Sequence, residues 1–113
     1  MNDTGELFSY SGDELESFEA AVNWKAYWSS QIAPYIGQDV LELGAGLGVT
    51  ARTLAAHPVR RWLGLEPDPG MCDVVRRRAG TLPFPAGYEI RCGTSESLVG
   101  DELFDTVLYI DVL

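Results

Sequence analysis

The sequence predicts an α/β domain built on a doubly wound parallel sheet. Three short apolar runs, at about residues 39–43, 61–65 and 88–92, are separated by two segments whose apolar residues have helical spacing. The first run is nearly continuous, which is typical of a strand buried on both faces. A fourth run follows at about 104–110. Because strands 1 and 4 flank the point where the chain crosses over, the expected strand order is 3-2-1-4.

A long helix is expected before the sheet. Ser11 begins a capping-box pattern, and the helix is predicted to end before Pro34. Its apolar residues fall on two nearly opposite sides, so the helix is either held from two sides or broken near Asn23. Its aromatic side chains are expected to dock on the sheet or, alternatively, to line a pocket: Trp24, Tyr27 and Trp28. We therefore divide the chain into a helical segment, 1–37, and a second part, 38–113.

Two shorter helices are predicted between the strands. The first spans roughly residues 47–56 and is stopped by Pro58. The second has Asp68 as its N-cap and ends before Gly80. Its expected buried stripe consists of Met71, Val74 and Val75.

Composition narrows the possible partners and location. The 113 residues suit one domain, and no apolar run approaches the ~20 residues that a membrane-spanning helix needs. With 8 basic and 17 acidic residues the net charge is -9, which disfavours nucleic acid and anionic lipid as partners. The first residues do not resemble a signal peptide, so we expect a cytoplasmic protein. Cys72, Cys92 and His57 lack metal-ligand spacing, so no metal is expected, and both cysteines are interpreted as reduced and half-buried.

A glycine-rich turn follows the first strand. Gly44, Gly46 and Gly48 stand at alternate positions between an apolar run and a helical pattern. Glycine accepts positive φ and lets a ligand approach the backbone, so a ligand is expected on this turn. Two acids accompany it, since Glu42 precedes the first glycine by two residues and Glu66 ends the next strand. Glu66 stands 20 residues after Gly46. Nucleotide-binding βαβ units carry an acid at this spacing, and that acid holds the ribose hydroxyls.

The pattern Glu42-x-Gly44-x-Gly46-x-Gly48 resembles motif I of the class I S-adenosylmethionine-dependent methyltransferases. This resemblance implies a Rossmann-like methyltransferase fold and S-adenosylmethionine as a small-molecule cofactor. It also implies that the backbone of the turn, including Ala45, approaches the methionine part of the cofactor. Glu42 would hold its ammonium group directly or through water.

Two other interpretations stay open at this point. A nicotinamide-dependent oxidoreductase has a similar strand and turn, but its fingerprint needs a third glycine where this chain has Val49. A non-catalytic interaction module would need no ligand at all. The P-loop pattern fits worse, because no Gly-Lys-Ser or Gly-Lys-Thr follows the turn.

Later segments resemble further motifs of the same family. By this resemblance Glu66 accepts from the ribose hydroxyls and Pro67 lies against adenine. Residues 93–98 occupy the place of motif III, and Thr94 stands where many relatives carry an aspartate that accepts from the adenine amino group. Ser95, the next residue, is also a candidate for cofactor binding. Asp111, at the end of the fourth strand, is the candidate polar residue beside the methyl donor.

The resemblance leaves the acceptor side open. The family fold has three strands beyond the fourth, so residues 38–113 are expected to be the cofactor-binding part of a domain truncated after strand 4. The motifs assign neither a catalytic residue nor an acceptor substrate. The fourth strand would then be an apolar edge, and we expect possible self-association through residues 104–112.

Overall fold

The computed structural model describes residues 12–110 of the chain. Helices and strands alternate in the expected way after a first long helix. In chain order they are α1 (Gly12–Ile32), β1 (Asp39–Leu43), α2 (Val49–Thr53), β2 (Arg61–Glu66), α3 (Pro69–Ala79), β3 (Tyr88–Cys92) and β4 (Thr106–Leu108). Short 3-10 helices occupy Ala33–Tyr35 and Ser95–Ser97.

The chain divides between Gln31 and Ile32 into two compact units. In the first unit, α1 runs without interruption past Asn23, so the predicted alternative of a broken helix is wrong. The rings of Trp24 and Tyr27 stack on one another, with 5.8 Å between their centroids. The predicted cap residue Ser11 lies outside the described residues. Within residues 12–110, no helix combines the length and apolarity needed to cross a bilayer.

The second unit is built on a four-stranded sheet in which every neighbouring pair is parallel. The strand order is β3-β2-β1-β4, which confirms the predicted order and fold class. In the register of β1 and β2, Glu42 lies opposite Gly64, and Leu43 lies opposite Leu65. The carboxyl ends of all four strands therefore meet at one edge of the sheet.

Two apolar clusters cover the two faces of the sheet. One contains buried residues of the glycine turn, α3 and β3, namely Ala45, Cys72, Val75 and Ile90. The other contains Leu41, Leu63 and Leu65, against which Leu98 and Phe104 pack. The prediction for α3 was correct for Val75 but wrong for Met71, because Cys72 faces the core and Met71 is exposed.

Helix α2 is shorter than the predicted range 47–56. Gly48 has φ 79°, whereas residues of a right-handed α-helix have negative φ. The helix therefore begins only at Val49. At the other end, Leu54 leaves helical geometry, and the chain passes through turns toward Pro58. Pro58 disfavours helical conformation in the residue before it, in agreement with this early end.

Strand β4 is also shorter than the predicted range 104–110. It pairs only with Val40 to Glu42 of β1, so residues after Leu108 have no β1 partner. Before the strand, the Asp105 carboxylate accepts hydrogen bonds from the backbone N–H groups of Gln38 and Asp39. The Asp105 N–H also donates to the Asp39 carbonyl oxygen at 2.9 Å, so side-chain and backbone hydrogen bonds together join the two segments at that end.

Candidate functional site

An open cavity of about 520 Å³ lies at the carboxyl edge of the sheet. This is where open parallel sheets bind ligands, and the volume is within the range of small-molecule sites. The turn after β1, the end of β2 and the segments after β3 and β4 all contribute to its wall. The lining residues are Leu43, Gly44, Gly46, Leu65, Glu66, Pro67, Met71, Gly93, Thr94, Ser95 and Tyr109.

The glycine turn, residues 44–48, is fixed to the neighbouring strand. The backbone N–H groups of Gly44 and Ala45 both donate to the Leu65 carbonyl oxygen, at 2.9 Å each. Gly44, Gly46 and Gly48 all have positive φ, at 71°, 59° and 79°. Residues with a Cβ are strained in this region, so the backbone path itself requires glycine at these positions.

Two glycines of the turn face different surroundings. A Cβ at Gly46 would meet no atom closer than the Gly44 carbonyl oxygen at 4.0 Å, and Gly46 lines the cavity. A Cβ at Gly48 would come within 2.9 Å of the Phe84 ring. Gly46 therefore leaves space for a ligand, whereas Gly48 leaves space for the protein core.

Glu66 joins the turn to the start of α3. One of its carboxylate oxygens accepts from the Gly46 backbone N–H at 2.7 Å, and the other accepts from the Asp68 N–H at 3.1 Å. The residue is 8% exposed and lines the cavity. A carboxylate has about four lone-pair sites, so each oxygen retains one for a ligand hydroxyl. Sequence reasoning placed Glu66 at this edge, and the structure brings it to Gly46.

Glu42 has a different position from the one expected. It lies in β1, its side chain is 1% exposed, and it is not part of the cavity wall. The Trp62 indole N–H donates to its carboxyl oxygen at 3.4 Å. Burial raises the pKa of Glu42 to about 7, and hydrogen bonds with Thr50 and Trp62 offset part of this rise. The geometry thus does not bring Glu42 to the cavity, and its direct contact with a ligand stays a prediction.

The other predicted site residues divide in a similar way. Pro67, Thr94 and Ser95 line the cavity, whereas Ala45, which is part of the turn, is buried in the apolar core. The Thr94 hydroxyl oxygen accepts from the Glu96 backbone N–H at 3.3 Å and so caps the short 3-10 helix. Asp111 lies outside the described residues.

Sequence reasoning missed several residues of the wall, of which Met71 and Tyr109 are the largest. Helical spacing predicts Met71 in the buried stripe of its helix, but Met71 stands in the first turn of α3 and lines the cavity. Tyr109 was assigned to the fourth strand, although it lies beyond the last paired residue. Their place in the sequence could have indicated this, since both residues lie within a few residues of the end of a predicted strand.

The cysteines lie beside the site without forming a metal centre. Within residues 12–110, no group of three or more histidine, cysteine or acidic residues is arranged to hold a metal. Both thiols are free, but Cys72 is buried and Cys92 is exposed, so the expectation that both are half-buried is wrong. The Cys72 thiol donates to the Glu66 carbonyl oxygen at 3.2 Å.

Comparison with known proteins identifies the family. Residues 40–113 match the family model of a methyltransferase domain. The chain belongs to this methyltransferase domain family. The match covers the glycine turn, Glu66 and all four strands, so the resemblance to class I S-adenosylmethionine-dependent methyltransferases is confirmed.

The individual relatives have low sequence identity to this chain, between 20% and 28% in the three examples that follow. The chain is 28% identical over 95 residues to the nonribosomal peptide synthetase asqK of Emericella nidulans, a match covering 83% of this chain and 4% of that protein. The glycopeptide N-methyltransferase MtfA complexed with sinefungin superposes with TM-score 0.60 at 20% identity, covering 75% of this chain and 34% of that one. Magnesium protoporphyrin IX methyltransferase (ChlM) from Synechocystis PCC 6803 with bound SAH gives TM-score 0.59 at 21% identity, covering 84% and 42%.

The two structural likenesses show the methyltransferase fold. The chain spans about a third to two fifths of the length of these solved structures and a small share of the peptide synthetase.

Proposed function

We propose that the cavity binds S-adenosylmethionine and that the protein transfers the cofactor's methyl group to an acceptor. One observation carries this proposal. In a chain of the methyltransferase domain family, Gly46 and Glu66 are joined by a hydrogen bond of 2.7 Å at the wall of a cavity of suitable size. The structures of MtfA with sinefungin and ChlM with SAH support the choice of ligand class.

The chemistry of the wall fits this cofactor. The free lone pairs of Glu66 suit the vicinal hydroxyls of a ribose, because two carboxylate oxygens can each accept one hydroxyl proton. Pro67 and Met71 offer apolar surface for an adenine ring, and Thr94 and Ser95 offer hydroxyl groups beside it. The open space at Gly46 allows the cofactor to approach the backbone of the turn.

In the proposed reaction, the residues of this chain bind and orient the cofactor. When bound, S-adenosylmethionine supplies a methyl group on a positively charged sulfonium. Residues 38–113 form the cofactor-binding part in this proposal, and residues 1–37 form a separate helical segment. We assign the acceptor-binding side to chain outside these 113 residues, since this chain matches only 34% and 42% of the two relatives of known structure. Methyl transfer needs the acceptor held in line with the methyl group.

The proposal extends to partners and location. Strand β4 ends the sheet and pairs with β1 alone in the described part of the chain, and Val107 on it is exposed. We propose self-association through this edge, and a single sedimentation coefficient for a monomer at all concentrations would contradict it. The net charge of -9 disfavours a nucleic acid acceptor. The two free cysteines suit a reducing, cytoplasmic location.

Calorimetric titration with S-adenosylhomocysteine and with NAD tests the proposed cofactor. We expect heat of binding from S-adenosylhomocysteine and none from NAD. Binding of NAD alone would support the oxidoreductase interpretation. Silence from both ligands, with circular dichroism showing a folded chain, would support a non-catalytic interaction module.

A further inference from the structure

The order of the strands arranges the groups of the cavity wall in a line. Thr94 follows β3, Glu66 ends β2, the glycine turn follows β1, and Tyr109 follows β4. Because the sheet order is β3-β2-β1-β4, Thr94 and Tyr109 mark the two opposite ends of the cavity. Pro67, directly after Glu66, and Met71, in the first turn of α3, both line the cavity and offer apolar surface to a ligand held at Glu66.

This line fixes the direction of the bound cofactor. If adenine lies against Pro67 and Met71, the group on the other side of the ribose points past the glycine turn toward β4. In S-adenosylmethionine that group is the sulfonium, which is attached to the ribose at the carbon opposite to the adenine. The cationic sulfur then approaches the end of the cavity where Tyr109 lies.

The charge of the wall is uneven along the same line. Among the described lining residues, Glu66 is the only one with a charged side chain, and both its oxygens already accept backbone hydrogen bonds. At the β4 end the wall holds Tyr109, the only aromatic residue that lines the cavity among residues 12–110, and it is 61% exposed. The face of an aromatic ring carries negative potential and attracts cations within about 6 Å of its centre.

Resting on the proposed function, we propose that the Tyr109 ring contacts the sulfonium end of the cofactor and selects S-adenosylmethionine over S-adenosylhomocysteine. The two molecules differ at the sulfur, which is cationic in the methyl donor and neutral in the product. A cation–π contact therefore stabilises the donor and is lost when the methyl group leaves. Tyr109 would therefore increase the affinity for S-adenosylmethionine relative to that for S-adenosylhomocysteine.

The ratio of the two dissociation constants tests this role. It is measured by calorimetry for the unaltered chain, Tyr109→Phe and Tyr109→Leu, with Tyr35→Leu as the matched control. Tyr35 is also an exposed tyrosine, at 82%, but it does not line the cavity. In Tyr109→Leu the preference for S-adenosylmethionine should fall by about 3- to 10-fold. Tyr109→Phe keeps the ring and should keep the ratio within about 2-fold, as should the control.

The outcomes separate this inference from the function on which it rests. If neither ligand binds the unaltered, folded chain, both the proposed function and the role of Tyr109 fall. If both ligands bind and Tyr109→Leu weakens them equally, the cofactor site stands, but selection by Tyr109 is overturned. A loss of preference in Tyr109→Phe as large as in Tyr109→Leu would also overturn it, because the hydroxyl and not the ring would then be responsible.

Discussion

Glu42 and Glu66 are two carboxylic acids in neighbouring strands, and they occupy different environments. Glu42 lies opposite Gly64, two residues before Glu66, so both side chains point to the same face of the sheet. Two residues correspond to about 6.6 Å along a strand. That distance places Glu66 at the cavity wall and leaves Glu42 beneath the glycine turn, between Trp62 and Thr50.

The distance of each acid from the carboxyl end of its strand therefore decides whether its carboxylate can contact a ligand. Glu66 retains lone pairs at an open edge and can bind a ligand. Glu42 is surrounded by protein, its pKa is raised to about 7, and its hydrogen-bond partners are Trp62 and Thr50.

The turn above Glu42 is expected to tolerate no side chain at Gly46. The substitution Gly46→Val places a β-branched residue at φ 59° and fills the space that opens into the cavity. We expect calorimetric binding of S-adenosylhomocysteine to disappear, a loss of more than about 2 kcal/mol. Gly100→Val is the matched control, since nothing lies within 4 Å of a Cβ at Gly100. Equal affinities in the two folded variants would remove the turn from the site.

Burial of Glu42 makes stability depend on pH. The folded pKa of about 7 exceeds the usual value of 4.5, so folding favours the protonated form. The associated stability is complete below pH 4.5 and is lost as the pH rises to about 7, with a total of about 3 kcal/mol. Burial raises the pKa of the nearby Tyr88 hydroxyl, which therefore stays neutral in this range.

Glu42→Gln isolates this contribution, because an amide does not titrate. In urea unfolding, the variant should resemble the unaltered protein near pH 4.5 and exceed it in stability by up to about 3 kcal/mol at pH 8. Other titrating groups cancel in the difference between the two proteins. A difference that does not change with pH would mean that Glu42 is ionised in the folded state and more solvated than its burial indicates.

The smallest effect is expected at the β3 end of the cavity. Thr94 stands where many methyltransferases have an aspartate, and its hydroxyl also caps the 3-10 helix. Aspartate is an equally good cap, so Thr94→Asp changes the acceptor strength with little effect on the fold. We expect Thr94→Asp to bind S-adenosylhomocysteine about 2- to 10-fold more tightly and Thr94→Ala more weakly than the unaltered chain. The opposite order would exclude an adenine contact at Thr94.

Local signals predicted much of the fold and the open part of the site. The limits of β1 and β3 and the Asp68 cap of α3 were predicted correctly, because apolar runs and capping residues act over a few residues. The hydrogen bond between Gly46 and Glu66 follows from two motifs that end neighbouring parallel strands.

Tertiary contacts decided what the sequence could not predict. The length of β4 depends on where β1 turns away from it. The burial of Glu42 depends on Trp62, which is twenty residues away in the chain, and the place of Tyr109 depends on the end of β4. A motif identifies an acid beside a glycine turn, but only the packing above and below it determines whether the acid reaches a ligand.

Binding of S-adenosylhomocysteine to Glu66→Gln and Glu42→Gln is the most direct test of the division between the two acids. An amide has one acceptor oxygen and cannot satisfy Gly46, Asp68 and two ribose hydroxyls, so Glu66→Gln should lose about 1.5 to 3 kcal/mol of binding. Glu42→Gln and the exposed control Glu96→Gln should change affinity by less than about 3-fold. A larger loss in Glu42→Gln than in Glu66→Gln, with both variants folded, would contradict the account.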